Sequence, residues 1–242
     1  MNLVLFDLDN TLLAGDSDYA WAEFLMEEGV LDRAAYEERN QWFLSEYERG
    51  TIRMEDWLAF QLQPIANRPR EQLQGWHREF MRRKVAPLIL PRGRELIASH
   101  NGAEKVIITA TNRFITGPIA RELGVPHLLA SEVEEVDGLL TGRPRGQPSF
   151  GAGKVVRLKD WLGARGRKLA DYPQSWFYSD SHNDLPLLSL VTHPVAVDPD
   201  PRLDPRRRGR EDHHGATRDR LRDEAPEVGL SDCRVKAGKS ER

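Results

Sequence analysis

The sequence predicts an α/β fold: a mostly parallel sheet with helices on both faces, and a helical bundle inserted after the first strand. Two observations carry this prediction. Short apolar runs alternate with helical segments in the second half of the chain, and such alternation is typical of parallel sheets. Between the first run and the remainder lie four consecutive segments with helical spacing. We therefore expect a core of residues 1–14 and 86–200 and an inserted bundle of residues 15–85.

The first strand and the four inserted helices come in this order. Residues 2–9 form an apolar run that is too short for a helix and ends in aspartates, which indicates a buried strand. Gly29 and Pro64 can end helices, and Pro69 suits the start of one. The four helices are predicted at residues 17–28, 33–49, 53–63 and 70–84.

Beyond Pro91 the chain alternates between predicted helices and strands. Helices are expected at residues 92–100, 113–123, 155–162 and 184–190. Strands are expected at residues 105–109, 127–130, 175–179 and 194–197. Residues 132–142 are typical of a β-hairpin, because Asp137 and Gly138 are favoured in a two-residue turn.

Composition and charge exclude several classes of protein. The 242 residues are 39% hydrophobic and 30% charged, which excludes a wholly disordered or collagen-like chain. No apolar run approaches the roughly 20 residues of a membrane span, and two aspartates interrupt the amino-terminal run, so we expect neither a membrane protein nor a secretion signal. Cys233 is the single cysteine, which excludes an intramolecular disulfide. These features favour a cytoplasmic protein, and they do not indicate an oligomeric state.

The net charge of −3 conceals an uneven distribution. Residues 201–242 hold 12 Lys and Arg, 9 Asp and Glu, and no aromatic residue. We expect this segment to be a charged tail outside the fold, either a disordered extension or the product of an altered reading frame in the source gene. The basic run at residues 206–210 lacks aromatic residues for base stacking, so no nucleic-acid partner is expected.

Two carboxylates follow the first predicted strand. Asp7 and Asp9 are two residues apart, so they would share one face at the carboxyl end of that strand. This edge of a parallel sheet is where ligands bind. Two neighbouring carboxylates repel each other, and Mg²⁺ is a cation that prefers such oxygen ligands. The alternative is a turn or helix cap, for which Asp, Asn and Thr are also suited.

Two isolated polar residues lie near predicted strand and helix ends. Thr109 ends a strand, where a hydroxyl can bind a phosphate oxygen or cap the next helix. Lys154 begins a helix, where a lysine usually points to solvent. A nucleotide-binding phosphate loop is not indicated, because Pro148 and Val155 occupy the places of its first glycine and its final hydroxyl.

A second pair of carboxylates follows the strand predicted at residues 175–179. Asp180 and Asp184 flank Asn183 at the carboxyl end of that strand. His182 lies between them, and no second histidine has a metal-binding spacing from it, so we expect it to be a loop residue. These acids could join the first pair at the same edge of the sheet.

Four motifs follow one another over residues 1–200: DxDxT, a strand-end threonine, a later lysine and DSxND. In this order they resemble the haloacid dehalogenase-like hydrolase superfamily. FDLDNTLLAGDSD and FYSDSHNDLPLL are similar to its branch of phosphoserine and histidinol-phosphate phosphatases. The resemblance implies a Rossmann-like core and a small helical cap formed by the inserted bundle.

The resemblance also implies roles for the site residues. Asp7 would be the nucleophile that forms an aspartyl-phosphate, and Asp9 would be the general acid and base. Thr109, Lys154 and Asn183 would bind the phosphoryl oxygens. A Mg²⁺ cofactor would be held by Asp7, Asp9 and Asp180, and Asp184 would anchor its waters or orient the lysine.

The expected substrate is a small phosphomonoester. Family members that act on phosphoserine usually carry Glu nine residues after the nucleophile, and here Asp16 stands at that position. The shorter side chain leaves both phosphoserine and histidinol phosphate as candidates. A phosphotransferase or mutase on the same scaffold is one alternative, and a catalytically silent module that binds a metal or phospho-ligand is another.

Overall fold

The structure, a computed structural model, describes residues 1–203, and the predicted tail from residue 204 onward lies outside the described residues. Within the described part, six strands form one sheet in the order β4-β3-β2-β1-β5-β6. The strands are β1 (Leu3–Phe6), β2 (Glu104–Asn112), β3 (His127–Val136), β4 (Leu139–Arg145), β5 (Ser175–Ser179) and β6 (His193–Ala196). All neighbours pair in parallel except β3 and β4, which form an antiparallel edge.

The helices divide into an inserted group and a group that covers the sheet. The inserted group, called the cap below, contains α1 (Ser17–Glu27), α2 (Arg33–Arg49), α3 (Met54–Leu62) and α4 (Arg70–Phe80). After it come α5 (Ala86–Leu88), α6 (Pro91–Ser99), α7 (Arg113–Glu122), α8 (Ala152–Gly163) and α9 (Leu185–Leu188). Among residues 1–203, no helix has the length and apolar content needed to cross a bilayer. The α/β class and the mostly parallel sheet are confirmed.

The central strand β1 is buried on both sides, which explains its uninterrupted apolar sequence. Successive side chains of a strand point to opposite faces. Val4 and Phe6 belong to the apolar cluster on one face, and Leu3 and Leu5 belong to the cluster on the other. The cap shares the first of these clusters, because Trp21 of α1 packs there in contact with Phe80 and Phe114. The cap is thus packed directly onto the sheet domain.

Several element boundaries differ from the predictions. The first strand ends at Phe6 instead of residue 9, because the next residues turn sharply: the Leu8 carbonyl accepts hydrogen bonds from the amides of residues 11, 12 and 13. The strand at 127–130 and the first arm of the hairpin are one continuous strand, His127–Val136, which pairs with β2 and then with β4. The predicted turn is present, with positive φ at Asp137 and Gly138.

Two further differences concern helix α4 and residues 201–203. The helix predicted to residue 84 becomes a π-helix at Met81–Val85. Pro87 follows, and its ring would clash with the carbonyl four residues earlier in a regular α-helix. At the carboxyl end of the described residues, Leu203 is buried in the second apolar cluster. It lies three residues past the predicted domain boundary at residue 200.

Candidate active site

The candidate site lies where the carboxyl ends of the three central strands meet. Asp7 follows β1, Thr109 to Asn112 end β2, and Asp180 follows β5. The register of β2 and β3 shifts between Ile108 and Asn112, so the end of β2 departs from regular pairing at the site. Parallel pairing therefore brings together residues from segments that are far apart in the sequence.

A buried lysine bridges two of the predicted carboxylates. Lys154 Nζ lies 2.9 Å from Asp7 Oδ1 and 2.7 Å from Asp184 Oδ2, and all three residues are buried. Ser179 Oγ donates a second hydrogen bond of 2.6 Å to Asp184 Oδ2. Burial alone would lower the pKa of Lys154, but the charges of Asp184 and Asp7 outweigh it and raise the pKa. The lysine is therefore held charged beside Asp7.

The first turn of α8 delivers this lysine and requires glycine before it. Gly151 caps the helix with φ 53° and ψ −124°, a conformation that disfavours other residues. Gly153 packs so closely that an added Cβ would lie 2.0 Å from the Pro148 carbonyl oxygen. The GAG sequence thus serves the close approach of this helix to the preceding loop, and it places Lys154 inward.

Asp9 has a different set of partners from Asp7. Its Oδ1 accepts a hydrogen bond of 2.8 Å from the Ser17 amide, and its Oδ2 accepts one of 2.8 Å from Thr111 Oγ1. Burial, followed by the charge of Asp16, raises the pKa of Asp9 to about 6. The two carboxyls predicted to share a face are thus held separately, one by a cation and one by neutral donors.

The site contains more carboxyl groups than Lys154 alone can balance if all of them ionise. Burial, with the charge of Asp184 adding, raises the pKa of Asp7 to about 7 against the opposing effect of Lys154. Burial and the charge of Asp7 raise the pKa of Asp180 to about 8, and its Oδ1 accepts a hydrogen bond of 3.2 Å from Thr11. A divalent cation near Asp7 and Asp180 would offset this repulsion, so the oxygen donors present fit Mg²⁺.

The fit to Mg²⁺ depends on the carboxylates of Asp7 and Asp180 and not on a larger cluster of ligands. In the described part of the chain, no group of three or more His, Cys, Asp or Glu is arranged to hold a metal ion. Asp184 already accepts hydrogen bonds from Lys154 and Ser179. Of the two predicted roles for Asp184, this geometry favours orienting the lysine.

The other predicted site residues lie around this centre. Thr109 is buried, and its Oγ1 accepts a hydrogen bond of 3.2 Å from the Thr111 amide. Asn183 donates through Nδ2 to the Tyr47 hydroxyl of the cap and, at 3.2 Å, to Ser181 Oγ. The asparagine amide is thus occupied by the cap, and it would have to change partners to reach a phosphoryl group.

Asp16 caps helix α1 at the boundary between cap and core. Its Oδ1 accepts a hydrogen bond of 2.8 Å from the Tyr19 amide, and the residue is exposed. Because its charge contributes to the raised pKa of Asp9, Asp16 lies within electrostatic range of the acid–base candidate.

Sequence reasoning assigned no site role to Asp18, Tyr47, Thr111 and Ser179, whose side chains contact the site. Thr111 had a detectable signal, because it stands two residues after Thr109 at the end of a strand. Tyr47 had none, since it belongs to a cap helix and reaches Asn183 across 136 positions of sequence.

The chain is similar to several known proteins. Residues 4–189 match the haloacid dehalogenase-like hydrolase family. A histidinol-phosphatase of Neisseria meningitidis serogroup C (strain 8013) is 43% identical, over 84% of this chain and 93% of that protein. A probable phosphatase of Mycobacterium tuberculosis is 29% identical, over 81% and 68%.

Solved structures show the same architecture. A protein of unknown function from Bordetella pertussis Tohama I is 45% identical, with a TM-score of 0.79 over 84% of this chain and 92% of that one. A substrate-bound phosphoserine phosphatase is 19% identical, with a TM-score of 0.58 over 84% and 88%. At that identity the likeness concerns the fold alone.

Proposed function

The chain belongs to the haloacid dehalogenase-like hydrolase family, and on that premise we propose that it is a Mg²⁺-dependent phosphatase of small phosphomonoesters. The observation that carries this proposal is the separation of the two carboxyls after β1. Asp7 pairs with the buried Lys154, whereas Asp9 is held by the Ser17 amide and the Thr111 hydroxyl. Hydrolysis through an aspartyl-phosphate needs two such carboxyls with different tasks.

Asp7 is suited to attack phosphorus. It must be ionised to act as a nucleophile, and the ammonium of Lys154 at 2.9 Å favours that form. In the proposed reaction an Asp7 oxygen bonds to phosphorus as the bond to the leaving alkoxide breaks. The same lysine lies where it can neutralise charge on the phosphoryl oxygens, which is the main requirement of phosphoryl transfer.

Asp9 is suited to move the protons. A pKa raised to about 6 allows this carboxyl to be protonated in one step and ionised in the next near neutral pH. In the proposed cycle it protonates the leaving alkoxide and then removes a proton from the water that attacks the aspartyl-phosphate. The hydrogen bonds from Ser17 and Thr111 fix the carboxyl for both steps.

The remaining groups bind and orient the phosphate. Thr109 has a hydroxyl proton with no acceptor among residues 1–203, so it is free to donate to a phosphoryl oxygen. Asn183 would supply a second donor once it leaves Tyr47. Asp7, the Asp9 carbonyl and Asp180 would hold the magnesium ion, which when bound supplies positive charge to the phosphoryl group.

For the substrate, we favour a phosphorylated amino alcohol or amino acid, with histidinol phosphate first and phosphoserine second. The 43% identity to a histidinol-phosphatase, over 93% of that protein, supports the first. The exposed Asp16 beside the site supplies a carboxylate for a substrate ammonium. This would place the enzyme in amino-acid biosynthesis, in the cytoplasm.

A phosphate-release assay on a panel of phosphorylated metabolites tests the proposal. The panel contains histidinol phosphate, phosphoserine and sugar phosphates, each with MgCl₂ or with EDTA. We expect Mg²⁺-dependent release that is fastest with histidinol phosphate. Transfer of phosphate to an added alcohol without free phosphate would indicate a phosphotransferase, and an inactive protein that still binds Mg²⁺ would indicate a silent binding module.

A further inference from the structure

Asp18 is a buried carboxyl that the mechanism above does not use. It lies in the first turn of α1 and is 5% exposed. In the described part of the chain no Lys, Arg or His forms an ion pair with it. Its hydrogen-bond partners are instead neutral: Thr111 Oγ1 at 3.1 Å from Oδ2 and Asn112 Nδ2 at 3.3 Å from Oδ1.

The Thr111 hydroxyl links Asp18 to the acid–base candidate Asp9. The Thr111 hydroxyl lies 2.8 Å from Asp9 Oδ2 and 3.1 Å from Asp18 Oδ2. A hydroxyl has one proton to donate and can also accept hydrogen bonds. Its single proton makes one full hydrogen bond, so two ionised carboxylates would share it. A proton on one of the two carboxyls, donated to Thr111, satisfies all three groups.

The surroundings of Asp18 fix which of its oxygens faces the threonine. Asn112 Oδ1 accepts a hydrogen bond of 3.2 Å from the Ile115 amide as the cap of α7. This orients the Asn112 amide so that its Nδ2 faces Asp18 Oδ1. Oδ2 is then the oxygen that contacts the Thr111 hydroxyl, which also contacts Asp9 Oδ2.

We propose that Asp18 is a positioning residue whose protonated Oδ2 donates to Thr111 and thereby commits the Thr111 proton to Asp9. This inference rests on the proposed acid–base role of Asp9. In this arrangement Asp18, which has no proposed catalytic task, is the neutral carboxylic acid. Asp9 is then held through both of its oxygens by donors, Ser17 N on one side and Thr111 Oγ1 on the other.

Electrostatics support this assignment of the proton. Burial raises the pKa of Asp18 well above its ordinary value, and the neighbouring charges of Asp16 and Asp9 raise it further. Tyr36 also faces this region, and its own pKa is raised mainly by burial. No cation opposes these effects among the groups that contact Asp18 in residues 1–203.

Paired substitutions at Asp18 test the role through kcat and KM. Asp18→Ala should lower kcat on the order of 10- to 100-fold with little change in KM, because Asp9 loses its fixed donor. Asp18→Asn should recover most of that loss, since its amide donates permanently to Thr111. Equal loss of kcat in both variants would show that the charge of Asp18 matters. A raised KM with unchanged kcat would show that Asp18 acts in substrate binding. Either result would overturn the proposal.

Substitutions at Thr111 give a matched control of the same chain of hydrogen bonds. Thr111→Val removes the hydroxyl at constant volume and should reproduce the kcat loss of Asp18→Ala. Thr111→Ser keeps the hydroxyl and should recover most of it. If Thr111→Val retained the wild-type kcat, Asp18 could not act on Asp9 through this hydroxyl.

Thermal stability tests the same proposal without substrate. A carboxyl that is protonated in the folded chain and ionised in the unfolded chain lowers stability as pH rises. Asp18→Asn should therefore raise Tm relative to wild type, by more at pH 8 than at pH 5, measured in EDTA. A Tm loss equal at both pH values would overturn the proposal. If wild type hydrolyses no phosphomonoester, the proposed function fails, whereas this Tm series still decides whether Asp18 carries a proton.

Discussion

Replacing Lys154 by Met is the perturbation for which the structure gives the clearest expectation. The ammonium lies between the carboxylates of Asp7 and Asp184, and the three side chains are 4%, 10% and 2% exposed. Breaking a buried ion pair by removing one partner costs about 3–5 kcal/mol in the free energy of unfolding. In a domain of this size that corresponds to roughly 6–20 °C in Tm.

The loss in free energy of unfolding caused by Lys154→Met should depend on pH in a defined direction. Without the lysine, Asp7 can avoid repulsion from Asp184 by taking up a proton, which is easier at pH 5.5 than at pH 8. Urea unfolding of Lys154→Met should therefore show a larger loss at pH 8 than at pH 5.5. The matched control is Lys159→Met, an exposed position on the same helix, which should unfold as wild type does.

A double substitution tests whether the unbalanced carboxylates cause the loss of stability. Lys154→Met combined with Asp184→Asn removes one carboxylate together with the cation, so it should recover part of the lost stability at pH 8. Phosphatase activity should stay lost in both variants, because the phosphoryl oxygens have no ammonium. If Lys154→Met lost no more stability than Lys159→Met, or lost the same amount at both pH values, the account of a buried, charge-balancing lysine would be refuted.

Three further outcomes are expected. Asp7→Asn should abolish turnover and leave the fold intact; near-wild-type phosphatase activity in this variant would exclude Asp7 as the nucleophile. Gly153→Ala should lower both Tm and kcat, because its Cβ would lie 2.0 Å from the Pro148 carbonyl oxygen, whereas Gly163→Ala has no atom within 4 Å and should be neutral in both measurements. In EDTA, Tm should fall as pH rises from about 4 to 8, because folding raises the pKa of Asp7 from 3.8 to about 7 and that of Asp180 to about 8, so the folded chain binds more protons than the unfolded chain across this range. Mg²⁺ should raise Tm more at pH 8 than at pH 5, and a metal effect equal at both would argue against these carboxylates as its ligands.

The position of the candidate site at the sheet edge could be predicted because its sequence signals are local. Each signal lies beside a strand with an apolar, β-prone pattern: Asp7 and Asp180 follow such strands, and the turn at Asp137 joins two strands. Parallel topology then brings the strand ends together. The resemblance of ordered motifs placed Lys154 among the site residues, whereas its contact with Asp7 was not predicted. By itself a lysine in the first turn of a helix is usually exposed, and 147 positions separate the two residues.

Other features could not be predicted because they arise from packing between distant segments. Asp18 receives its role from Thr111, 93 positions further along the chain. Tyr47 meets Asn183 only because the cap is folded against the sheet. The strand β3 was divided in the prediction since polar residues interrupt its apolar start, whereas hydrogen bonds to β2 and β4 keep the backbone extended throughout.

The central claim is that phosphate passes through Asp7, and rapid acid quenching followed by mass spectrometry tests it most directly. Enzyme mixed with histidinol phosphate and Mg²⁺ would be quenched within one turnover and digested to locate the phosphoryl group. The account predicts a transient phosphorylated peptide modified at Asp7, absent in Asp7→Asn. A phosphoryl group on another residue, or turnover of wild type with no phosphorylated enzyme at any time point before steady state, would contradict it.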